Sequence, residues 1–201
     1  DFDTVYNFGK KLDLLTIEIE HVNVDALEKL RDEGVTVYPQ PEVIRIVQDK
    51  GLQKEFYKNN NIPSSNFYLI ENKNEIKLDN LPVVQKLRKS GYDGRGVLKI
   101  NSKSDIDKAF NEPSVIEKTI NISKEISIII ARNNSGEVKL FPPIELVFKE
   151  EANLVDYLFS PADINSITKT KANEIAEKIV KSLNIVGLLA VEMFITNEGE
   201  T

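Results

Sequence analysis

Apolar residues in this chain recur at two spacings, and the alternation between them lays out a mixed α/β protein. Residues 14–20 read as a strand, and residues 24–33 then set Leu27 and Leu30 on one side of a short helix closed by Gly34. Residues 35–38 form a second strand, stopped by Pro39 and Pro41. This β-α-β order is one unit of a parallel sheet, too little to be a domain alone. A helical stripe runs over 41–61 through Val43, Ile44, Val47, Leu52, Phe56 and Tyr57, with Gly51 expected to break it and the Asn-Asn-Asn-Ile-Pro run at 59–63 to end it. Strands are predicted at 67–70, 114–120, 125–132, 138–148 (interrupted by Pro142-Pro143) and 186–195. Helices are predicted at 104–110, capped by Ser102 or Ser104, and at 171–183.

The stretch from Pro82 to Ile100 reads as strand, glycine-rich turn and second strand. Val83, Val84 and Leu87 lead in, and Val97, Leu98 and Ile100 lead out. Gly91, Gly94 and Gly96 lie between them, interleaved with Tyr92, Asp93 and Arg95. Glycines this dense allow backbone N–H groups to approach an oxyanion such as phosphate. On a strand, Lys86 and Arg88 share one face while Gln85 and Leu87 take the other. A strand lysine beside a glycine loop is the arrangement kinases use for nucleotide phosphates. A Walker A loop is excluded, because no Gly-x-x-x-x-Gly-Lys-Ser/Thr occurs.

Composition narrows the classes. With 201 residues, 41% hydrophobic and 29% charged, the chain reads as an ordinary globular protein, and no apolar run reaches membrane-span length. The first residues carry no basic or apolar signal segment. The absence of cysteine excludes disulfides and thiolate chemistry and fits a cytoplasmic setting. A net charge of −6 argues against a nucleic-acid surface, and a single histidine, His21, excludes a multi-histidine zinc site.

Other residues carry two readings each. Glu20 and His21 stand at the carboxyl end of their strand, where open α/β sheets place ligands, but a solvated loop has the same spacing. Glu117-Lys118-Thr119-Ile120 is a strand running into a turn, which offers an adenine edge or nothing. Glu125 opens an apolar strand and suits a pair of ribose hydroxyls, or is a plain strand tip. Glu192 interrupts an apolar strand, where a carboxylate is costly unless it is paired, metal-bound or turned outward.

The Lys86-to-Gly96 run, Lys-x-Arg-x-x-Gly-Tyr-Asp-Gly-Arg-Gly, resembles the nucleotide loop of the ATP-grasp ligases. Its Gly-Tyr-Asp-Gly-Arg-Gly core is similar to that of the N5-carboxyaminoimidazole ribonucleotide synthases of purine biosynthesis. Five further motifs carry the resemblance across 14–199: Glu18-Ile19-Glu20-His21-Val22, Gln48-Asp49-Lys50, Glu117 to Ile120, Glu125-Ile126-Ser127, and Leu189-Ala190-Val191-Glu192-Met193-Phe194. The resemblance implies an ATP-grasp fold, α/β with an α+β lid, following the tail of a parallel-sheet domain. Residues 1–47 would be that tail and 48–201 the ATP-grasp domain, with a lid near 72–120 and a central part over 121–201.

The implied activity is carboxylation of 5-aminoimidazole ribonucleotide by ATP and bicarbonate through carboxyphosphate. The implied cofactors are ATP and magnesium, with manganese as the alternative ion, and the implied assembly is a homodimer. By the same resemblance, Lys86, Gly91, Tyr92, Asp93, Gly94, Arg95, Gly96 and Val97 hold the phosphates, with Lys86 and Arg95 acting in catalysis, and Lys50 (usually Arg in the family) also binds the nucleotide. Glu117, Lys118, Thr119 and Ile120 receive adenine, Glu125 the ribose, Glu192 the metal, and Glu20 and His21 the ribonucleotide. Three departures from the family are Ser90 for a glycine, Val97 for a glutamine, and Phe148 at a frequent histidine. The family's opening β-α unit and the Asn-Glu pair completing its metal site have no counterpart between Asp1 and Thr201, so this stretch is expected to be truncated and inactive alone. The rivals are a biotin carboxylase-like or formate-using glycinamide ribonucleotide ligase, and a nucleotide-binding module without turnover.

Overall fold

A computed structural model describes residues 1–89, 91, 95–149 and 154–199. The chain opens with α1 (Phe2–Gly9), absent from the sequence reading and capped by the Asp1 carboxylate, which accepts from Thr4 N at 2.9 Å. Then β1 (Leu14–Thr16) and β2 (Thr36–Tyr38) pair in parallel, with α2 (Val24–Asp32) crossing between them, as expected of a β-α-β unit. Leu15, Leu27, Leu30, Val35 and Val37 bury their core. Gly34 ends α2 with φ +98°, a conformation that favours glycine. The strand predicted over 14–20 stops at Thr16. Its partner is only three residues long before Pro39, so no ladder continues, and Ile19 lies 59% exposed in the following loop.

α3 (Pro41–Val47) and α4 (Lys50–Asn59) fill the long helical stripe. The break falls at Gln48-Asp49, not at Gly51. Asp49 is extended, and its carboxylate accepts from Gly51 N and Leu52 N at 2.8 and 3.2 Å, so it starts a new helix. Gly51 lies inside the first turn for a different reason: a Cβ there would meet Arg88 Nε at 2.6 Å.

β3 (Phe67–Ile70), β4 (Val83–Leu87), β5 (Val97–Ile100) and β6 (Ser114–Lys118) form an antiparallel sheet in the order β3-β6-β4-β5. The glycine-rich segment joins β4 to β5, as the sequence predicted. The helix expected over 104–110 is instead a 3-10 segment, Lys103–Lys108, with Ser102 and Asp105 forming a capping box. Gln85 points into the sheet's packed face. Its amide donates to Phe110 O and Ser114 Oγ and accepts from Phe110 N, so its complete burial leaves no polar atom unpaired.

The second large sheet runs β10-β9-β7-β11, from β7 (Ile122–Arg132), β9 (Ile144–Lys149), β10 (Leu154–Phe159) and β11 (Gly187–Thr196), with the short β8 (Val138–Leu140) also on β7. α5 (Ser166–Leu183) covers one face. Strand alternation sends Ile126, Ile128 and Ile130 of β7, with Val191, Met193 and Ile195 of β11, into that core. It sends Glu125, Glu192 and Phe194 to the other face.

Two expectations were incomplete here. β10 was read as irregular, because Val155, Tyr157, Leu158 and Phe159 are all exposed and give no period-2 signal. α5 begins five residues before its predicted start, since Asn165 caps it by accepting from Thr168 N at 2.9 Å. Among the described residues, no helix is long and apolar enough to cross a membrane.

Ile128 is wholly buried between sheet and helix. Ile128→Ala is predicted to cost about 2–5 kcal/mol through lost burial and the residual cavity. Urea unfolding should show a lower midpoint with an unchanged slope.

Candidate functional site

The charged residues of the cleft are organised around Glu117. Lys86 and Glu117 project from the same face of the β4–β6 pair, because Glu117 lies opposite Val84, two residues from Lys86. Lys86 Nζ is 3.1 Å from Glu117 Oε1, and Lys54 Nζ, from α4, is 3.0 Å from Oε2. Ser65 Oγ also donates to Oε2, and Lys54 Nζ donates to Ser64 Oγ at 2.6 Å and Ser65 Oγ at 3.1 Å. The Glu117 side chain is 8% exposed. Burial pushes its carboxyl up, but the Lys86 and Lys54 ammonium groups with Ser65 outweigh that and hold it below the usual carboxylate value. Lys54 is depressed by burial, with Glu117 opposing.

A second lysine pair gives the cleft its positive end. Lys50 Nζ is 3.5 Å from the Gly91 carbonyl oxygen at the start of the glycine-rich turn. Burial lowers its pKa, and the Lys86 charge lowers it further. The two ammonium groups repel one another, and Glu117, already shared between Lys86 and Lys54, offsets only part of the charge, so a polyanion would be stabilised here. Gly96 takes φ +77°, and a Cβ there would crowd Gly91 Cα at 3.1 Å, so the two glycines allow the turn's ends to approach. Arg95 is exposed on this turn and Val97 is 37% exposed. Tyr92, Asp93 and Gly94 lie outside the described residues.

Across the cleft, the second sheet supplies an aromatic ring and two carboxylates. Lys86 Nζ stands 5.9 Å from the centroid of the Phe194 ring, so the strand lysine bridges both sheets. Phe194 pairs in register with Glu125, and Glu192 with Ser127. The Glu125 carboxyl is raised by burial and then by Glu192, with Lys86 opposing. Tyr57 of α4 is raised by burial and by Glu117 and Glu192, which places that phenol beside the same charges. Glu192 is exposed on the cleft face, so strand alternation turns it outward to where a cation could sit, not into the core. Among the described residues no three acidic or histidine side chains cluster as a metal site.

The remaining predicted residues are less tightly gathered. Lys118 is exposed and its backbone N–H donates to Asn66 O at 2.9 Å; Thr119 Oγ1 donates to Pro82 O at 3.2 Å; Ile120 is 38% exposed where β6 passes into β7. Glu20 and His21 lie in the loop after β1, where Gln48 Nε2 donates to the carbonyls of Glu20 and Val22. Glu20 is near enough to favour the charged form of Lys50. Phe148 pairs with Val155 and is half-buried on the sheet. A cavity of about 570 Å³ lined by Asp49, Glu71, Leu87, Arg88, Lys89, Glu112 and Pro113 contains none of the charged groups around Glu117, so the chemistry does not reside there.

Sequence reasoning missed Lys54, Ser65, Tyr57 and Phe194. Lys54 was recoverable, because it follows Lys50 by four residues and so shares its helix face. The other three meet the site only through tertiary packing.

Comparison with known proteins identifies the fold family. The ATP-grasp domain model matches residues 55–201, and the ribonucleotide synthetase preATP-grasp domain model matches residues 1–48. A chloroplastic phosphoribosylaminoimidazole carboxylase of Vigna aconitifolia is 37% identical over 204 residues, covering 98% of this chain and 36% of that protein. The crystal structure of N5-carboxyaminoimidazole ribonucleotide synthetase from Thermotoga maritima superposes with a TM-score of 0.84 at 33% identity, covering all of this chain and 52% of that one. N5-carboxyaminoimidazole synthase from Aspergillus clavatus, in complex with ADP and 5-aminoimidazole ribonucleotide, superposes with a TM-score of 0.88 at 26% identity, covering all of this chain and 54% of that one. The chain therefore spans about a third to a half of the relatives it matches.

Removing the central carboxylate should expose its role. Glu117→Gln leaves the Lys54 and Lys86 ammonium groups buried without their partner, and is predicted to cost about 3 kcal/mol at neutral pH. In the wild type the folded value lies below the unfolded one, so this stabilisation is complete above the unfolded carboxylate value and is lost as pH falls through the folded value. Denaturant titrations from pH 7 to 3 should show a smaller acid loss in the variant; parallel curves would refute the assignment.

Proposed function

We propose a carboxylating ligase, and the premise is that this chain belongs to the ATP-grasp family. The reading is that it forms the nucleotide-grasping part of an N5-carboxyaminoimidazole ribonucleotide synthase, which carboxylates 5-aminoimidazole ribonucleotide at the expense of ATP. The observation that carries it is the Lys50 ammonium group at Gly91 of the glycine-rich turn, with Lys86 reaching the Phe194 ring on the face that carries Glu125 and Glu192. The Aspergillus relative, described with ADP and the ribonucleotide together, supports both ligands.

In this mechanism a bicarbonate oxygen attacks the γ-phosphorus of ATP, the bond to the β-phosphate oxygen breaks, and ADP leaves. The product is carboxyphosphate. The ribonucleotide's amine then attacks the carboxyl carbon, directly or as released carbon dioxide; inorganic phosphate leaves and the amine loses a proton. Lys86, Lys50 and Arg95 neutralise charge spread over the transferring phosphoryl oxygens, and the backbone N–H groups of the 91–97 turn follow the phosphates. The segment 117–120 borders adenine, and Glu125 accepts from the ribose hydroxyls. Glu20 and His21 face the ribonucleotide.

Glu192 fits one carboxylate of a magnesium site, because a hard cation of this kind takes one or two carboxylates together with substrate phosphates. Such an ion, or manganese in its place, would add positive charge at the β- and γ-oxygens. A homodimer in an aqueous compartment completes the reading.

The test uses the full-length protein. ADP release should require both bicarbonate and 5-aminoimidazole ribonucleotide, and Lys86→Ala should lower kcat by about 10²–10³-fold, as for loss of one aligned transition-state donor. ADP release driven instead by another acceptor would favour a different ATP-grasp ligase. Nucleotide binding with no phosphate release under any acceptor would favour a module without turnover.

A further inference from the structure

Three consecutive residues where α3 gives way to α4, the last of them the first of α4, each hold a different part of the molecule. Gln48 Nε2 donates to Glu20 O and, at 2.8 Å, to Val22 O, fixing the loop that follows β1. Asp49 accepts from Arg88 Nε and Nη2, both at 2.9 Å, just beyond β4. Lys50 donates its backbone N–H to Arg88 O at 2.9 Å and brings its ammonium group to Gly91 O.

A helix cap alone would need only the two bonds Asp49 accepts from Gly51 and Leu52. The Arg88 fork adds two more to a carboxylate only 5% exposed, and Gly51 leaves Arg88 the space that a Cβ would fill. A bidentate pair of this kind fixes orientation as well as distance. The loop bearing Glu20 and His21 and the turn bearing Gly91 thus share one backbone anchor.

We propose that Asp49, through Arg88, is the positioning residue for the phosphate turn, and that Gln48 is the positioning residue for the second-substrate loop. One three-residue junction then sets the separation of the two reactants. The inference rests on the function proposed above and adds roles to residues that touch neither reactant. Transfer between two held reactants is sensitive to such placement, since a misplacement of about 1 Å can cost on the order of 10²-fold.

The test is calorimetric titration of the full-length protein with ADP, AMP and 5-aminoimidazole ribonucleotide. Asp49→Asn is expected to weaken ADP about tenfold, within the range for displaced binding groups, while leaving AMP unchanged. Arg88→Lys keeps the charge but loses the fork, so it should behave the same way and stands in if Asp49→Asn fails to fold. Gln48→Ala should weaken the ribonucleotide and spare ADP. Equal losses for ADP and AMP, or none, would reduce the junction to a structural role and overturn the inference alone. A wild-type protein that binds no ADP would overturn the proposed function with it.

Discussion

A carboxylate removed from water and held between two ammonium groups is the constraint on which this molecule depends. Glu117 comes from β6, Lys54 from α4 and Lys86 from the neighbouring strand β4, so a single buried charge joins that sheet to the helix. Burying any of the three alone would be unfavourable by several kcal/mol, and only the mutual pairing with Ser65 makes their burial tolerable. The pairing also sets where the Lys86 ammonium stands: over the Phe194 ring and toward the cleft, not out in solvent.

The electrostatics on either side of that pair are opposite. Toward the glycine-rich turn, Lys50 and Lys86 repel and lower the cost of bringing in an anion. Toward β7 and β11, Glu125 and Glu192 repel and favour a cation or a hydrogen-bond donor. A polyanion at the first end and a cation or hydroxyl donor at the second would relieve both. The cleft is thus polarised along its length by like-charged pairs that repel, which is how a preorganised site differs from a stable core.

The hydrophobic framework explains how those groups can be held so closely. Ile126, Ile128 and Ile130 are buried against α5, so the other face of β7 is free to carry Glu125 without disturbing the packing. In the β3-β6-β4-β5 sheet, the fully satisfied Gln85 takes the packed face, which leaves the alternate positions Val84 and Lys86 on the same face as Glu117. The small β1–α2–β2 unit adds a third core, connected to the site through the Gln48-Asp49-Lys50 junction.

Much of this was legible in the order of residues. Period-2 and helical patterns located most of the strands and helices, because local burial imposes those periods whatever the neighbours are. The glycine-rich turn and its strand lysine were legible for the same reason, since both follow from one short stretch of backbone. The chain itself could not reveal that Glu117 would be taken up by Lys54 and Lys86, or that Asp49, besides its local cap, would be gripped by Arg88. Both depend on a partner far away in sequence: Glu117 meets Lys54 across 63 residues and Asp49 meets Arg88 across 39. The exposed apolar run of β10 becomes a strand only by pairing with β9. Local sequence sets which conformations are inexpensive, and only the assembled fold decides which charges must share a low-dielectric space.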